Sequence, residues 1–260
     1  MRLCIVLSLL MPHQPTIVFL HGFAESREIW TDFLRDFPAE YRVISLNLLG
    51  HGTNIHDVRD YSMEAQARYV AQKLQAAGAE KALLVGHSMG GYVALAFAER
   101  WPERVAGLCL LNSSALADSE EKKANREKNV AFVERHGVEK FMESFIRPLF
   151  APVHREAMST QREFLEEIGK ATPAETLVSG MRAMAARPDR TKVLHEAEFP
   201  VQFIVGKEDV AVPLEQSVAQ AHLAPVSHAL FLADVGHLAY YEKPREVRQA
   251  VLDFAGAVFG

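Results

Sequence analysis

Cysteine is scarce: the 260 residues hold two, Cys4 and Cys109. Two isolated thiols build neither a disulfide framework nor a cysteine-rich zinc site, and Cys109 lies inside the apolar run Leu108-Cys109-Leu110-Leu111, so it reads as core in a reducing compartment. A Lys/Arg block is missing too. With 28 basic against 33 acidic residues and a formal net charge of -5, no stretch offers the phosphate contacts that nucleic acid requires. The sequence shows no internal repeat, no low-complexity segment, no phosphate-binding loop and no cluster of metal ligands, so neither cofactor nor metal is expected. Long apolar runs are absent. The run in residues 1–10 falls well short of the roughly 20 apolar residues that span a bilayer. Met11-Pro12-His13-Gln14-Pro15 follows it without a small-residue cleavage site. The reading is a cytoplasmic chain without stable membrane insertion; a signal peptide in residues 1–10, or a start at Met11, are the rivals.

What is present is a well-mixed globular composition, 49% hydrophobic and 23% charged. At about 150 residues per domain the length corresponds to roughly 1.7 domains, hence one large domain or a core with an insertion. Short apolar runs (Thr16 to Leu20, Arg42 to Leu48, Ala82 to Val85, Val105 to Leu111) alternate with helical spacing, clearest at Met63, Ala67, Val70, Ala71 and Leu74 before Gly78. Strands separated by helices pair in parallel, and a sheet covered on both faces gives continuous apolar strands. After Asn112-Ser113-Ser114 the pattern yields to a charged, helix-rich stretch reaching about Glu196. There Val138, Phe141, Met142, Phe145 and Ile146 form a stripe closed by Pro148, suited to a buried helix face or to a pocket wall. Strand-like runs return at Val201 to Val205 and His228 to Leu232, and a last helix runs from about Pro244 to Phe254.

Gly86-His87-Ser88-Met89-Gly90-Gly91 sits between the strand Ala82–Val85 and the helical run from Tyr92. A serine on such a strand-to-helix turn is held in a strained conformation with its hydroxyl above the sheet, and a Cβ at Gly86 or Gly90 would collide with neighbouring backbone. A hydroxyl needs a base and an orienting acid. Asp209, in Gly206-Lys207-Glu208-Asp209 after one strand, and His237, in Gly236-His237 after the next, lie on the same sheet edge as Ser88 and follow it in the expected order. Glu208 is the rival acid. His21 and His51 read as braces for turns, and His87 as tied to the backbone of the turn. Oxyanion donors are expected at the backbone N–H groups of Met89 and of Phe23, whose ring is left to wall the pocket.

At this point the chain resembles the α/β-hydrolase family, in particular its small, cofactor-free serine members with a helical cap. The matching pieces are His21-Gly22-Phe23, Gly50-His51-Gly52, the Ser88 turn, Gly206 to Asp209 with Pro213, and Gly236-His237 with Glu242 and Pro244. The resemblance spans about residues 16 to 254. It implies a mostly parallel sheet flanked by helices, a core of residues 1–114 and 197–260, a cap of residues 115–196, and the triad Ser88, His237 and Asp209. Two departures stand out. Asn47-Leu48-Leu49-Gly50-His51-Gly52 replaces the more common Asp-x-Pro-Gly-x-Gly, which puts a structural turn in question. The family's opening antiparallel hairpin has too few residues here, leaving at most Leu3 to Leu10 as an edge strand.

Serine at position 88 disfavours the carboxylate-nucleophile members, the epoxide hydrolases and haloalkane dehalogenases. The expected activity is hydrolysis of small or medium acyl esters through an acyl-enzyme, with a small-molecule ester-type substrate as partner. Carbon–carbon bond hydrolases, enol-lactonases, thioesterases and perhydrolases share the triad. A small-molecule receptor with slow residual hydrolysis is the alternative from another class. Arg182, Arg187 and Arg190 could meet a substrate carboxylate but read as a solvated face. No motif bears on oligomeric state.

Overall fold

The computed structural model describes residues 14–260, so Cys4 and every expectation for residues 1–10 lie outside the described residues. Six strands form one sheet: β1 (Thr16–Leu20), β2 (Arg42–Leu46), β3 (Ala82–His87), β4 (Val105–Leu111), β5 (Val201–Gly206) and β6 (Ser227–Leu232), in the order β2-β1-β3-β4-β5-β6. Among the described residues every pairing is parallel. The four inner strands are buried almost throughout, as apolar strands covered on both faces should be. The two edge strands differ from that expectation: β2 is half-buried, and β6 begins exposed at Ser227, His228 and Ala229, because each has a neighbour on one side only.

Helices fill the crossovers. The helix α1 (Met63–Ala76) buries Met63, Ala67, Val70, Ala71 and Leu74, the apolar positions of its sequence pattern. Its first turn is capped by the Ser62 hydroxyl, which accepts from Ala65 N–H at 3.2 Å, and the chain leaves it through Gly78 at φ +66°. The helix α2 (Met89–Arg100) is apolar nearly all round and buried from Met89 to Ala98, since it packs on β3, β1 and β4.

Between β4 and β5 lies the inserted cap: α3 (Glu120–His136), α4 (Val138–Phe145), α5 (Ser159–Lys170), α6 (Ala174–Ala186) and α7 (Thr191–His195). The two long helices α3 and α6 pack together, and α4 packs on α5 and α3. After β5 come α8 (Leu214–Gln220), the short α9 (Ala239–Glu242) and α10 (Pro244–Phe259), which continues five residues beyond the expected end at Phe254. The architecture is that of an α/β hydrolase. No helix among the described residues is long and apolar enough to cross a membrane.

Candidate active site

The chain runs from β1 to β2 on one side and then crosses to β3 on the other, so the carboxyl ends of β1 and β3 lie side by side where the strand order reverses. Such a reversal opens a crevice in which α/β proteins bind ligands. Reading across the sheet from there, the strand ends deliver Phe23, then Ser88, then Asn112 and Ser113, then Asp209, then His237.

Ser88 occupies φ 50°, ψ -115°, a strained conformation for a residue with a Cβ. The glycines around it permit the turn. A Cβ on Gly86 would come within 2.5 Å of the Gly90 backbone, and one on Gly90 would strike the Leu20 and His21 carbonyls. Ser113 Oγ donates to the Ser88 carbonyl at 2.7 Å, pinning the strained residue from the loop that follows β4. Among the described residues, the backbone N–H groups of Phe23 and Met89 make no hydrogen bond to a protein acceptor. They remain available to an incoming oxyanion.

His237 is buried, and its Nδ1–H donates to Asp209 at 2.8 and 3.0 Å. That bond fixes the tautomer and leaves Nε2 with a lone pair, the form a general base needs. Burial works against the Asp209 carboxylate, but His237, the Val212 N–H and the Asn112 amide hold its pKa below the usual value. Glu208, the rival acid, is exposed. Ser88 and His237 line one cavity; no hydrogen bond joins Ser88 Oγ to His237 Nε2 in this arrangement, a bond that commonly tightens only when substrate binds.

A second histidine–carboxylate pair sits behind the elbow. His87 Nδ1 faces Glu25 Oε2 at 3.0 Å and Nε2 faces the His237 carbonyl at 2.9 Å, so two acceptors call for both ring protons. Glu25 also accepts from Gly22 N–H and Tyr240 Oη–H. Burial alone would neutralise both groups, yet their mutual attraction outweighs it: His87 is raised and Glu25 lowered to about 2. The pair thus fixes the main chain of the His237 loop. Glu242 holds the same loop by accepting from Gly236 N–H at 2.9 Å and from Ala151 N–H of the cap segment at 2.8 Å. His21 and His51 brace the turn at residues 47–52, His21 Nε2 accepting from Leu48 N–H at 3.0 Å and His51 Nδ1–H donating to the Leu49 carbonyl. Asn47 accepts there from Arg27 N–H, so the departure from the family's common turn is accommodated.

The cavity holds about 580 Å³, within the range of small-molecule sites. Its apolar wall includes Phe23, Phe141, Phe145 and Met181; its polar wall includes Lys122, Asn125, Arg126 and Asn129. The Phe141 and Phe145 rings stack at 5.0 Å, and Phe23 meets Phe145 edge-on at 5.9 Å, so the stripe on α4 is both buried face and pocket wall.

The solvated-face reading fails for two of the three cap arginines. Arg187 and Arg190 are buried. Arg187 donates to Asp118 and to the Met184 and Leu116 carbonyls, with its guanidinium 3.8 Å over the Tyr92 ring. Arg190 ties the cap to Glu99 of α2 and Glu64 of α1. Only Arg182 is exposed as read, beside Glu134. The cations that line the cavity, Lys122 and Arg126, carry no distinguishing signal in the sequence because they are two of many charged residues along α3. Glu25, Asn112 and Ser113 were missed likewise; their partners lie 62, 97 and 25 residues away.

A sequence model of the alpha/beta hydrolase family matches residues 17–250, and the chain belongs to that family. It is 29% identical over 239 residues to the 2-succinyl-6-hydroxy-2,4-cyclohexadiene-1-carboxylate synthase of Klebsiella pneumoniae, covering 91% of this chain and 92% of that protein. It is 29% identical over 253 residues to the 2-hydroxy-6-oxononadienedioate/2-hydroxy-6-oxononatrienedioate hydrolase of Paraburkholderia phymatum, covering 93% and 87%. A thermophilic esterase from Thermogutta terrifontis superposes with a TM-score of 0.88 at 32% identity, covering 95% of this chain and 91% of that one. The chain is an enzyme of this family, acting on small organic substrates.

Proposed function

We propose that this α/β hydrolase uses Ser88, His237 and Asp209 to cleave a small carbonyl substrate with water, releasing a carbon or enol fragment: a carbon–carbon bond hydrolase or an enol-lactonase. The observation that carries the serine mechanism is the buried His237–Asp209 pair on the same cavity as the strained Ser88. The direction toward a carbon leaving group is supported by the second relative, named a hydrolase of an oxo-dienedioate that contains no ester bond; the first is named a synthase on a cyclic carboxylate and likewise no ester hydrolase, and each aligns over nine-tenths of this chain. These relatives displace simple ester hydrolysis from first place to second. The ester reading retains its own support, the 32% identical esterase.

In this mechanism His237 Nε2 takes the Ser88 proton as Oγ attacks the carbonyl carbon. The oxyanion is received by the Phe23 and Met89 N–H groups. Collapse breaks the bond to the leaving fragment, and His237 returns the proton to its carbon or oxygen. Water, deprotonated by His237, then attacks the acyl-enzyme and releases a carboxylic acid, while Asp209 stabilises the imidazolium throughout.

The test gives wild type and Ser88→Ala three substrates side by side: a conjugated vinylogous diketone, an enol lactone and a graded series of 4-nitrophenyl esters. Faster turnover of the diketone or the lactone, lost in Ser88→Ala, supports the reading. Preference for esters moves the assignment to the second reading. Turnover on every substrate far below about 1 per second, with Ser88 still labelled by a fluorophosphonate, would overturn both in favour of another substrate class or of a receptor.

A further inference from the structure

We propose that Glu242 is a positioning residue for the catalytic base: it clamps cap residues 149–151 onto the His237 loop, so that the cap carries part of the mount on which His237 works. The proposal rests on the serine-hydrolase reading and adds to it the group that holds the base in place.

Both main-chain groups of His237 are engaged, on opposite sides. Its N–H donates to the Leu149 carbonyl of the cap at 2.7 Å, and its carbonyl faces His87 Nε2, beside Ser88, at 2.9 Å. The base is thus suspended between the nucleophile turn and the cap. Glu242, the last residue of α9 and buried, closes the cap side. Its Oε1 accepts from Gly236 N–H at 2.9 Å and from Leu238 N–H at 3.3 Å, the two neighbours of His237, and its Oε2 accepts from Ala151 N–H at 2.8 Å. One oxygen serves each segment.

Among the described residues only N–H groups bond this carboxyl, so an ionised side chain that accepts and never donates is the one that fits. Burial raises its pKa against the pull of the three N–H groups and of His154, which makes the charge costly to keep there. An amide in its place would turn an NH2 toward one set of donors. Gly236 supplies a second, independent sign of the close approach. A Cβ on it would lie 2.4 Å from the Leu149 carbonyl oxygen and 2.6 Å from the Ala151 nitrogen, so any other residue would force the segments apart. The clamped segment has little slack. It follows α4 through one tight turn, Arg147–Leu149, in which Leu149 N–H donates to the Ile146 carbonyl at 3.0 Å. Phe145, Pro148 and Leu149 line the cavity, so the wall that meets substrate and the strap that holds the base are one stretch of chain. A misplacement of about 1 Å at a catalytic group can cost about a hundredfold in rate.

The experiment reads the labelling of Ser88 by a neutral fluorophosphonate, a step that needs His237 as base but not the natural substrate. Varying the probe concentration separates the limiting rate from the half-saturating concentration. In Glu242→Gln the limiting rate is expected to fall about tenfold or more, with half-saturation held within about twofold. Loss of a purely structural contact would lower the melting temperature and leave the limiting rate of the folded protein unchanged. Glu156→Gln, whose partner Arg147 is exposed on the same segment, should alter neither constant. Should Glu242→Gln fail to fold, hydrogen exchange in wild type decides. The amides of Ala151, Gly236 and His237, read singly, should open together with one rate and one denaturant dependence. A limiting rate unchanged in folded Glu242→Gln, or an Ala151 amide that opens independently of the other two, overturns the clamp and leaves the serine reading standing. Absence of Ser88 labelling in wild type overturns that reading, and the clamp with it.

Discussion

The sheet edge and the cap meet across one cavity but hold their charges differently. At the sheet edge each histidine has its own carboxylate, His237 with Asp209 and His87 with Glu25, and the surrounding N–H groups are aimed by strand ends. In the cap three cations converge on Asp118. The first arrangement is closed and fixes geometry, as chemistry at a single carbonyl demands. The second sets three cations on one carboxylate, and two of them, Lys122 and Arg126, line the cavity. The comparison teaches that in this molecule the core pairs His237 and His87 with one carboxylate each, while the insertion gathers several cations on one carboxylate beside the same cavity.

The comparison is broken most severely at Ser88. Ser88→Ala is expected to lower kcat by at least about 10⁴-fold with little change in melting temperature, and Asp209→Asn by a similar factor through the wrong His237 tautomer. Steady-state kinetics alongside thermal melts separates these effects from unfolding.

Next in size is the closed pair behind the elbow. Glu25→Gln leaves a buried imidazolium without its counter-charge and should cost about 3 kcal/mol or more in a denaturant titration at pH 7. The pH dependence has a definite sign. The folded pKa of Glu25, about 2, is below its unfolded value of 4.5, so its contribution is complete above about pH 5 and lost as the pH falls toward 2. His87 is raised, so its contribution is present below 6.5 and fades as the pH climbs through its folded value. Wild type should lose stability on both sides of that window. Glu25→Gln should flatten the acid side; an unchanged acid limb would assign it to other carboxylates.

Asp118→Asn sharpens the contrast from the cap. Removing the hub's single negative charge leaves Arg187 buried beside two other cations and should destabilise the fold by about 3 kcal/mol. KM should change more than kcat, because the sheet-edge groups are untouched. Smallest of all is Arg182→Gln. Its ion pairs with Glu134 and Glu127 are solvent-exposed, and their loss should shift stability by less than about 1 kcal/mol.

Much of this was legible in the sequence because it is local. Gly86 to Gly91 encodes the elbow within six residues: the strain at Ser88 and the absence of a Cβ on either side are short-range sterics. The apolar runs and the spacing in α1 report burial directly, and parallel pairing follows from strands separated by helices. Asp209 and His237 could be placed because each follows a recognisable strand. The Arg187 and Arg190 readings failed because composition records charge without recording its partners: Asp118, Glu99 and Glu64 lie 69, 91 and 126 residues away. Glu25 gives no signal in the sequence for the same reason, its partner His87 lying 62 residues away.

The sequence by itself determined the layered α/β architecture, the strained serine and the order of its partner residues, because each rests on contacts between near neighbours in the chain or on the periodicity of burial. Only the tertiary structure decided which carboxylate answers which cation. It brought Glu25 beneath His87, turned Arg187 inward onto Tyr92, and left Lys122 and Arg126 facing the cavity. Electrostatic pairing in a buried space depends on distances between segments far apart in sequence, and those distances exist only once the cap has packed over the sheet.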